Sequence, residues 1–338
     1  SLRATTMLLT GTLFVLCNAA FAFYLLAVVP TLDYHQPGLV SAIALGILAL
    51  GASQVVQYVT GFGAAPTGKF NTGMLAMEAG LPVGLAWWTM EQPSFVVPAF
   101  FLLAYWGTGG GMHAGVVYLA LFMTHYFRRA FVYPWFSRGR PYPLHAWASA
   151  MLFTTCNGTM QANDLLYGDA SDRPLSALLG ARSLLGAALF AFGMAANVQA
   201  DHILANLRKP GETSGYKIPR GGLFEYVSGA PFVAEVFEWT GYGIACGSLA
   251  PAAFAAFNFS LSARSFLAAS SASLSCAATS FSSLFTGTIS ESPGPDGPDA
   301  TARRYDASAD RSIANAAKAS KIAWHSVFAI FMIGSLNV

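Results

Sequence analysis

Long apolar stretches separated by short polar connections occupy about the first 260 of the 338 residues. A bilayer core about 30 Å thick requires about 20 apolar residues per helix, and fewer where neighbouring helices cover the ends. Eight stretches approach this length, and 322–338 is a weaker ninth. The eight are 7–30, 39–59, 73–90, 94–107, 111–127, 145–166, 182–200 and 232–259. No β-barrel-like alternation persists, so the pattern predicts an all-α, polytopic transmembrane helical bundle.

The two ends of the chain differ from this pattern. The apolar run of span 7–30 exceeds the roughly 7–15 residues of a signal-peptide core, so we expect a retained helix. After about residue 260 the sequence becomes rich in Ser and Ala, which neither spans a membrane cleanly nor builds a core. We therefore expect 265–320 to be poorly ordered. The predicted divisions are an extra N-terminal helix at 1–38, a transmembrane catalytic domain at 39–259 and a divergent tail at 260–338.

Composition and charge exclude several classes of protein. The chain is 54% hydrophobic and 10% charged, whereas a soluble domain carries roughly 25% charged residues. A net charge of +2 gives no excess for binding nucleic acid. The four cysteines are scattered, which excludes a disulfide scaffold or a zinc ribbon, and no residue cluster has metal-ligand spacing.

The distribution of basic residues predicts the orientation of the bundle. Basic side chains follow the fifth and seventh spans, namely Arg128, Arg129, Arg138, Arg140, Arg208, Lys209, Lys217 and Arg220. The intervening loop carries Asp164, Asp169 and Asp172 against a single Arg173. Because short cytoplasmic loops carry the excess of Lys and Arg, both basic loops are expected in the cytosol.

Glu91 lies in a strongly apolar neighbourhood, between Trp87-Trp88 and Pro93. A charge at membrane depth costs about 2.5–3.5 kcal/mol on insertion scales and is therefore a functional candidate. One interpretation is a buried carboxylic acid that stays protonated and donates a hydrogen bond. The other is an interfacial carboxylate at a helix end, which the nearby proline favours.

Polar residues also recur at helical spacing within two apolar spans. Tyr126, Arg129 and Tyr133 fall at steps of three and four, on one helix face. Asn157 and Gln161 repeat the pattern in span 145–166. A cytosolic boundary explains the arginines but not the repeated spacing of Tyr126, Arg129 and Tyr133. Amide side chains can bridge helices in lipid, which would explain Asn157 and Gln161. Structural and functional interpretations therefore both remain open.

The densest polar stretch runs from 197 to 226. Asn197, Asp201 and Arg208 form one helical stripe, and an amide, a carboxylate and a guanidinium suit a ribose and phosphates. No Gly-x-Gly-x-x-Gly follows a strand, so a Rossmann domain is not indicated. Glu235 and Glu238 share a face near a helix start, where they either stabilise the helix dipole or contact a cofactor.

Four segments resemble the steroid 5α-reductase family of membrane 3-oxo-5-alpha-steroid 4-dehydrogenases. They are AWWTMEQPSF (86–95), HYFRRAFVYPWFSRGRPYP (125–143), FTTCNGTMQ (153–161) and 200–245, of which the last is long and idiosyncratic. The resemblance covers roughly 73–257. It implies a core of about seven helices, to which the helix at 7–30 is an addition.

The resemblance implies hydride transfer from NADPH to C5 of a 3-oxo-4-ene steroid, giving the 5α-reduced product. Glu91 and Tyr126 occupy positions that bind the steroid 3-carbonyl in the family, and Trp239 and Trp87 are expected to line the steroid site. Residues at positions near the family's cofactor are Asn157, Arg129, Asn197, Asp201, Arg208, Tyr216, Glu235 and Glu238.

The resemblance further implies a multi-pass protein of the endoplasmic reticulum membrane, or of the inner membrane if bacterial, acting as a monomer. Alternative substrates are other lipid enones, such as a sterol or a polyprenal. A catalytically inactive membrane paralogue is a further alternative. Pro231 stands where the family has an Asn, and nothing after Arg264 matches the family's closing motif.

Overall fold

A computed structural model describes residues 2–28, 36–60, 80–139, 141–207 and 217–263, and these residues are almost entirely helical. The predicted all-α class is confirmed for them. The helices are α1 Leu2–Phe23, which continues as a π-helical turn Tyr24–Val28, α2 Pro37–Thr60, α3 Val83–Glu91, α4 Pro93–Gly107, α5 Ala114–Phe127, α6 Leu144–Tyr167, α7 Ala181–Ala205, α8 Ala230–Cys246 and α9 Leu249–Ala263.

Two predicted spans differ from the helices that form. The span at 73–90 is helical only from Val83, because Gly80–Leu81 (β1) pairs antiparallel with Tyr142–Pro143 (β2) and Pro82 then begins the helix. Residues 73–79 lie outside the described part of the chain, as do the predicted span 322–338 and the predicted poorly ordered segment 265–320.

The span at 232–259 is two helices rather than one. The chain breaks at Gly247, whose φ of 56° lies in the left-handed region that glycine adopts without strain. Arg173 donates to the carbonyls of Cys246 and Gly247 at the end of α8. Asp164 accepts from the backbone N–H of Ala250 at 3.2 Å and so caps the start of α9.

Membrane-spanning capacity is clearest for α7. Among the described residues, α7 is the one helix that is both long and apolar enough to cross a bilayer by length and composition. Shorter apolar helices occur at Phe14–Phe23, Pro37–Ser53 and Leu249–Ala263. The predicted number of spans stays a prediction.

By internal contacts the chain separates into two units. The first consists of residues 1–212 and 231–264, and the second of 213–230 and 265–338. The described part of the second unit contains a 3₁₀ turn, Gly222–Glu225, in which Glu225 accepts from the backbone N–H of Gly221 at 2.7 Å. All of the candidate site described below lies in the first unit.

The N-terminal helix packs against α6 within the first unit. The rings of Phe14 and Trp147 lie 5.1 Å apart, and the hydroxyls of Tyr24 and Thr159 are hydrogen-bonded at 2.7 Å. The division between an extra helix at 1–38 and a core at 39–259 stays a prediction.

Helices α7 and α8 approach each other closely through glycines. A Cβ atom on Gly193 would lie 2.6 Å from Cα of Glu238, and one on Gly241 would lie 2.6 Å from the carbonyl oxygen of Gly186. Small residues at such positions let helix backbones come together, which is the usual way in which membrane helices associate. This approach places the polar residues of α7 against those of α8.

We expect Gly193→Val to destabilise the protein by at least about 2 kcal/mol, because backbone atoms of α8 cannot move aside as a flexible side chain would. The control is Gly46→Ala in α2, where an added Cβ meets nothing within 4 Å. The control should keep or slightly raise the melting temperature, since alanine favours a helix more than glycine does. Thermal unfolding in detergent measures both variants. An unchanged melting temperature for Gly193→Val would contradict the close packing.

Candidate functional site

Glu91 is the last residue of α3, at a break in the helix that Pro93 imposes. Proline has no N–H to continue the helical ladder, and the carbonyl of Met90, next to Glu91, accepts from the Thr154 hydroxyl at 2.6 Å. Glu91 is partly buried and lies close enough to Arg129 and Tyr126 to interact electrostatically with both. Glu91 therefore lies at the end of a helix, as one of the two interpretations of the sequence expects. Its carboxyl group is also close to other polar groups.

Tyr126 is buried on α5 and surrounded by aromatic rings. Its ring centroid lies 4.6 Å from that of Phe122 and 5.9 Å from that of Trp239. Trp239 is 1% exposed and packs edge-on against Phe254 at 4.5 Å. The Tyr126 hydroxyl interacts with the Ser94 side chain at the start of α4. The phenol is thus held by an apolar wall with its hydroxyl near Glu91.

A π-helical turn, Arg128–Val132, extends α5 beyond this tyrosine. Such single π-helical turns are rare in proteins overall, but those that occur are often found at functional sites. They shift the phase of the side chains that follow along the helix. Here two consecutive arginines, Arg128 and Arg129, are both directed toward Asp201 of α7. A regular α-helix separates consecutive side chains by about 100°.

The two arginines contact the same carboxylate in different ways. Arg128 donates to Asp201 at 2.5 Å and to the Asn197 side-chain oxygen at 2.8 Å. Arg129 lies 3.8 Å from Asp201 and 3.9 Å from Glu235, which is beyond normal hydrogen-bonding distance. The guanidinium of Arg129 therefore keeps N–H donors that these two carboxylates do not engage.

Asn197 and Glu235 connect this charged group across α7 and α8. The side chain of Asn197 is fully buried and donates to the carbonyl of Pro231 at 3.3 Å and to Glu235 at 3.4 Å. Asn197 and Asp201 follow the predicted helical stripe. The charged cluster, defined as Arg128, Arg129, Asn197, Asp201 and Glu235, thus joins three helices.

Aromatic side chains cover one side of the charged cluster. The Arg129 guanidinium lies 4.6 Å from the Trp87 ring and 4.7 Å from the Tyr133 ring, a cation–π arrangement. Tyr142 on β2 also packs against Trp87. Burial raises the pKa of Tyr142, so this phenol is protonated at neutral pH.

His125 and Glu238 form a second buried polar contact between α5 and α8. The Nδ1 atom of His125 and Oε1 of Glu238 are 2.7 Å apart, and the two side chains are 5% and 0% exposed. The sequence placed Glu238 among cofactor candidates, and in the structure its side chain contacts His125.

Asn157 belongs to a polar cluster on α6. Its side-chain oxygen accepts from Gln161 at 3.3 Å, and Gln161 also accepts from Tyr242 and donates to the Ala250 carbonyl, both at 3.1 Å. Within the described residues, the Nδ2 atom of Asn157 is buried and has no hydrogen-bond partner. An unpaired buried N–H group costs stability, and it can be satisfied by a ligand.

Most sequence-predicted residues are thereby located. The structure gathers Arg129, Asn197, Asp201 and Glu235, and it places Glu91, Tyr126 and Trp87 beside them. Arg208 and Tyr216 lie outside the described residues. Sequence reasoning missed Arg128, which it assigned to a cytosolic boundary, and His125, which precedes Tyr126 in a quoted segment and carried no signal of its own.

The charged cluster suits a phosphorylated, ribose-containing ligand. Guanidinium groups bind phosphate oxygens in a fork geometry, and carboxylate and amide groups bind ribose hydroxyls. The unengaged donors of Arg129 and the orphaned Nδ2 of Asn157 are both consistent with a bound polar molecule. Within the ranges the structure describes, no three His, Cys, Asp or Glu side chains are grouped to hold a metal ion.

Comparison with known proteins points to one family. The family model for 3-oxo-5-alpha-steroid 4-dehydrogenase matches residues 140–273. The human protein 3-oxo-5-alpha-steroid 4-dehydrogenase 2 is 41% identical over 225 residues, which is 65% of this chain and 82% of the relative. Cattle (Bos taurus) 3-oxo-5-alpha-steroid 4-dehydrogenase 1 is 44% identical over 202 residues, covering 58% of this chain and 75% of the relative.

Proposed function

This chain belongs to the 3-oxo-5-alpha-steroid 4-dehydrogenase family, and from that premise we propose that it reduces the C4–C5 double bond of a 3-oxo-4-ene steroid with NADPH. The observation that carries the proposal is that Glu91 and Tyr126 lie close enough to interact electrostatically with each other and with Arg129 of the charged cluster. An enone needs a hydroxyl donor within an apolar pocket, which Tyr126 supplies. A nicotinamide nucleotide needs cationic groups that bind its phosphates, which the charged cluster supplies.

Tyr126 and Glu91 are proposed to stabilise the charge that develops on the substrate. When hydride adds at C5, negative charge accumulates on the 3-carbonyl oxygen, and a hydroxyl directed at that oxygen lowers the barrier. Tyr126 donates to the oxygen, and Glu91, kept protonated by its surroundings, donates through or beside it. C4 then takes a proton from water. Trp239 and the rings around it keep bulk water away from the hydride-transfer step that comes before this protonation.

NADPH, when bound, supplies the hydride. We propose that Arg129 and Arg128 bind its phosphates and that Asp201, Asn197 and Glu235 bind its ribose hydroxyls. Asn157, with its unpaired amide N–H, is proposed to contact the same molecule. Arg208 and Tyr216 remain further candidates from the family resemblance.

We also propose that the protein is a monomeric, multi-pass protein of the endoplasmic reticulum membrane. Large apolar side chains are exposed around the helices in numbers typical of a lipid-facing surface. Examples are Trp135, Leu179, Leu152 and Leu45, which are 84%, 76%, 67% and 67% exposed. The assignment to this membrane rests on the family resemblance.

Conversion of testosterone by membranes containing the chain tests the function. We expect NADPH-dependent formation of the 5α-reduced 3-oxosteroid, detected by mass spectrometry. A steroid already reduced at C4–C5 is the control and should not consume NADPH. Absence of product, with retained NADPH binding, would contradict steroid reduction and favour another lipid enone. Absence of both would favour the inactive paralogue.

A further inference from the structure

The buried contact between His125 and Glu238 is costly to the fold. Both side chains are almost fully removed from solvent, and taking charged groups out of water is repaid only by excellent geometry and full hydrogen bonding. The geometry is good at 2.7 Å, but Oε2 of Glu238 is buried and has no hydrogen-bond partner among the described residues. Stability alone is therefore a poor explanation for this pair.

The pair lies beside the aromatic ring of Tyr126, which carries the proposed catalytic hydroxyl. His125 precedes Tyr126 on α5, and Glu238 precedes Trp239 on α8. The His125 ring contacts Trp239 at 4.5 Å and Tyr126 at 5.1 Å, while Tyr126 and Trp239 are 5.9 Å apart. The three rings thus form a closed triangle, and the hydrogen bond to Glu238 holds one corner of it.

The backbone of α7 closes the space behind Glu238. The contact at Gly193 leaves no room even for a Cβ atom beside Cα of Glu238. The helix that carries the carboxylate is therefore fixed against α7. Nδ1 of His125 and Oε1 of Glu238 lie 2.7 Å apart in a single hydrogen bond. The imidazole ring is consequently held in one orientation.

We propose that His125 and Glu238 are a positioning pair for Tyr126. Their hydrogen bond holds the imidazole ring against Tyr126 and Trp239, so that the Tyr126 hydroxyl stays directed toward the substrate carbonyl. The inference rests on the proposed function and concerns how its hydroxyl is oriented. It assigns Glu238 to His125 rather than to the cofactor.

Two variants of His125 test the proposal. His125→Phe removes the hydrogen bond and should lower kcat for testosterone about 100-fold, because a displacement of about 1 Å at a reacting group has that effect. His125→Asn places an amide N–H near the position of Nδ1 and should retain activity to within about fivefold, the worth of a modest change in one hydrogen bond. The affinity for NADPH should be unchanged in both variants.

The double variant His125→Phe with Glu238→Met separates positioning from folding. It leaves no buried charge without a partner, so it should fold as well as the unmodified protein. We expect its kcat to stay low although its melting temperature is retained. Recovery of normal turnover in this variant would overturn the proposal, as would a loss of NADPH affinity in Glu238→Gln.

¹⁹F NMR gives a readout that is independent of turnover. The full chain is labelled with 3-fluorotyrosine and studied in detergent, and the resonance of Tyr126 is identified because it disappears in Tyr126→Phe. The ¹⁹F resonance should shift or broaden in His125→Phe and remain near its normal position in His125→Asn. An unchanged resonance in His125→Phe would overturn the proposal. If the unmodified chain reduces no steroid, the proposed function fails, and this resonance still decides whether the pair positions Tyr126.

Discussion

Tyr126→Phe should lower the turnover of a 3-oxo-4-ene steroid by about 100- to 1,000-fold, the usual effect of removing one donor to a developing oxyanion. The change deletes only the hydroxyl and leaves the ring to pack against Phe122 and Trp239. Glu91→Gln should have an effect of similar size, because an amide cannot supply the acidic proton that a carboxylic acid supplies.

The kinetic pattern distinguishes this role from substrate or cofactor binding. An interaction made only in the transition state lowers kcat and kcat/KM together, so the affinity for NADPH should be unchanged in both variants. Tyr105→Phe is the matched control, since the Tyr105 hydroxyl donates to the Gly111 carbonyl in a solvent-exposed hydrogen bond. Normal turnover in Glu91→Gln or Tyr126→Phe would remove that residue from the proposed mechanism.

Arg129→Met should raise the Kd for NADPH by about 30-fold or more, since charge-assisted hydrogen bonds to phosphate are worth about 1.5–3 kcal/mol each. The carboxylates of Asp201 and Glu235 would also lose a neighbouring positive charge, and their repulsion of an anionic ligand adds to the loss. Steroid turnover at saturating NADPH should fall much less than the affinity.

Two further substitutions make the test of Arg129 specific. Arg129→Lys keeps the positive charge but lacks the planar fork, so its affinity for NADPH should be intermediate. Arg138→Met, at an exposed position in the same connection, should leave the affinity unchanged. Binding is measured by quenching of tryptophan fluorescence on NADPH titration, with the melting temperature as a check of folding. Unchanged NADPH affinity in Arg129→Met would remove this residue from the proposed cofactor site.

Local sequence patterns predicted the helical elements well where apolar runs ended at clear signals. The predicted span 145–166 agrees with α6 at Leu144–Tyr167 to within one residue at each end. The predicted span 232–259 failed because its apolar run continues through the break at Gly247. Gly247 and Pro251 mark that break locally, and Arg173 and Asp164 stabilise it from outside the run.

Helical spacing likewise predicted part of the candidate site. Asn197 and Asp201, four residues apart on α7, do share a face and a partner in Arg128. The excess of basic residues in the connection after span 111–127 assigned Arg128 to a cytosolic boundary instead. The contact of Arg128 with Asp201 joins two separate helices, so the spacing of residues within one helix could not reveal it.

The sequence by itself determined the helical class, most helix boundaries and the family, because apolar run length, proline and glycine positions and long idiosyncratic segments are local properties. Only the tertiary structure decided that Arg128 meets Asp201 across 73 positions and that His125 meets Glu238 across 113. Such pairings depend on the register and phase of packed helices, and glycines such as Gly193 set these by letting backbones approach. That information is distributed over several helices and is not contained in any single segment.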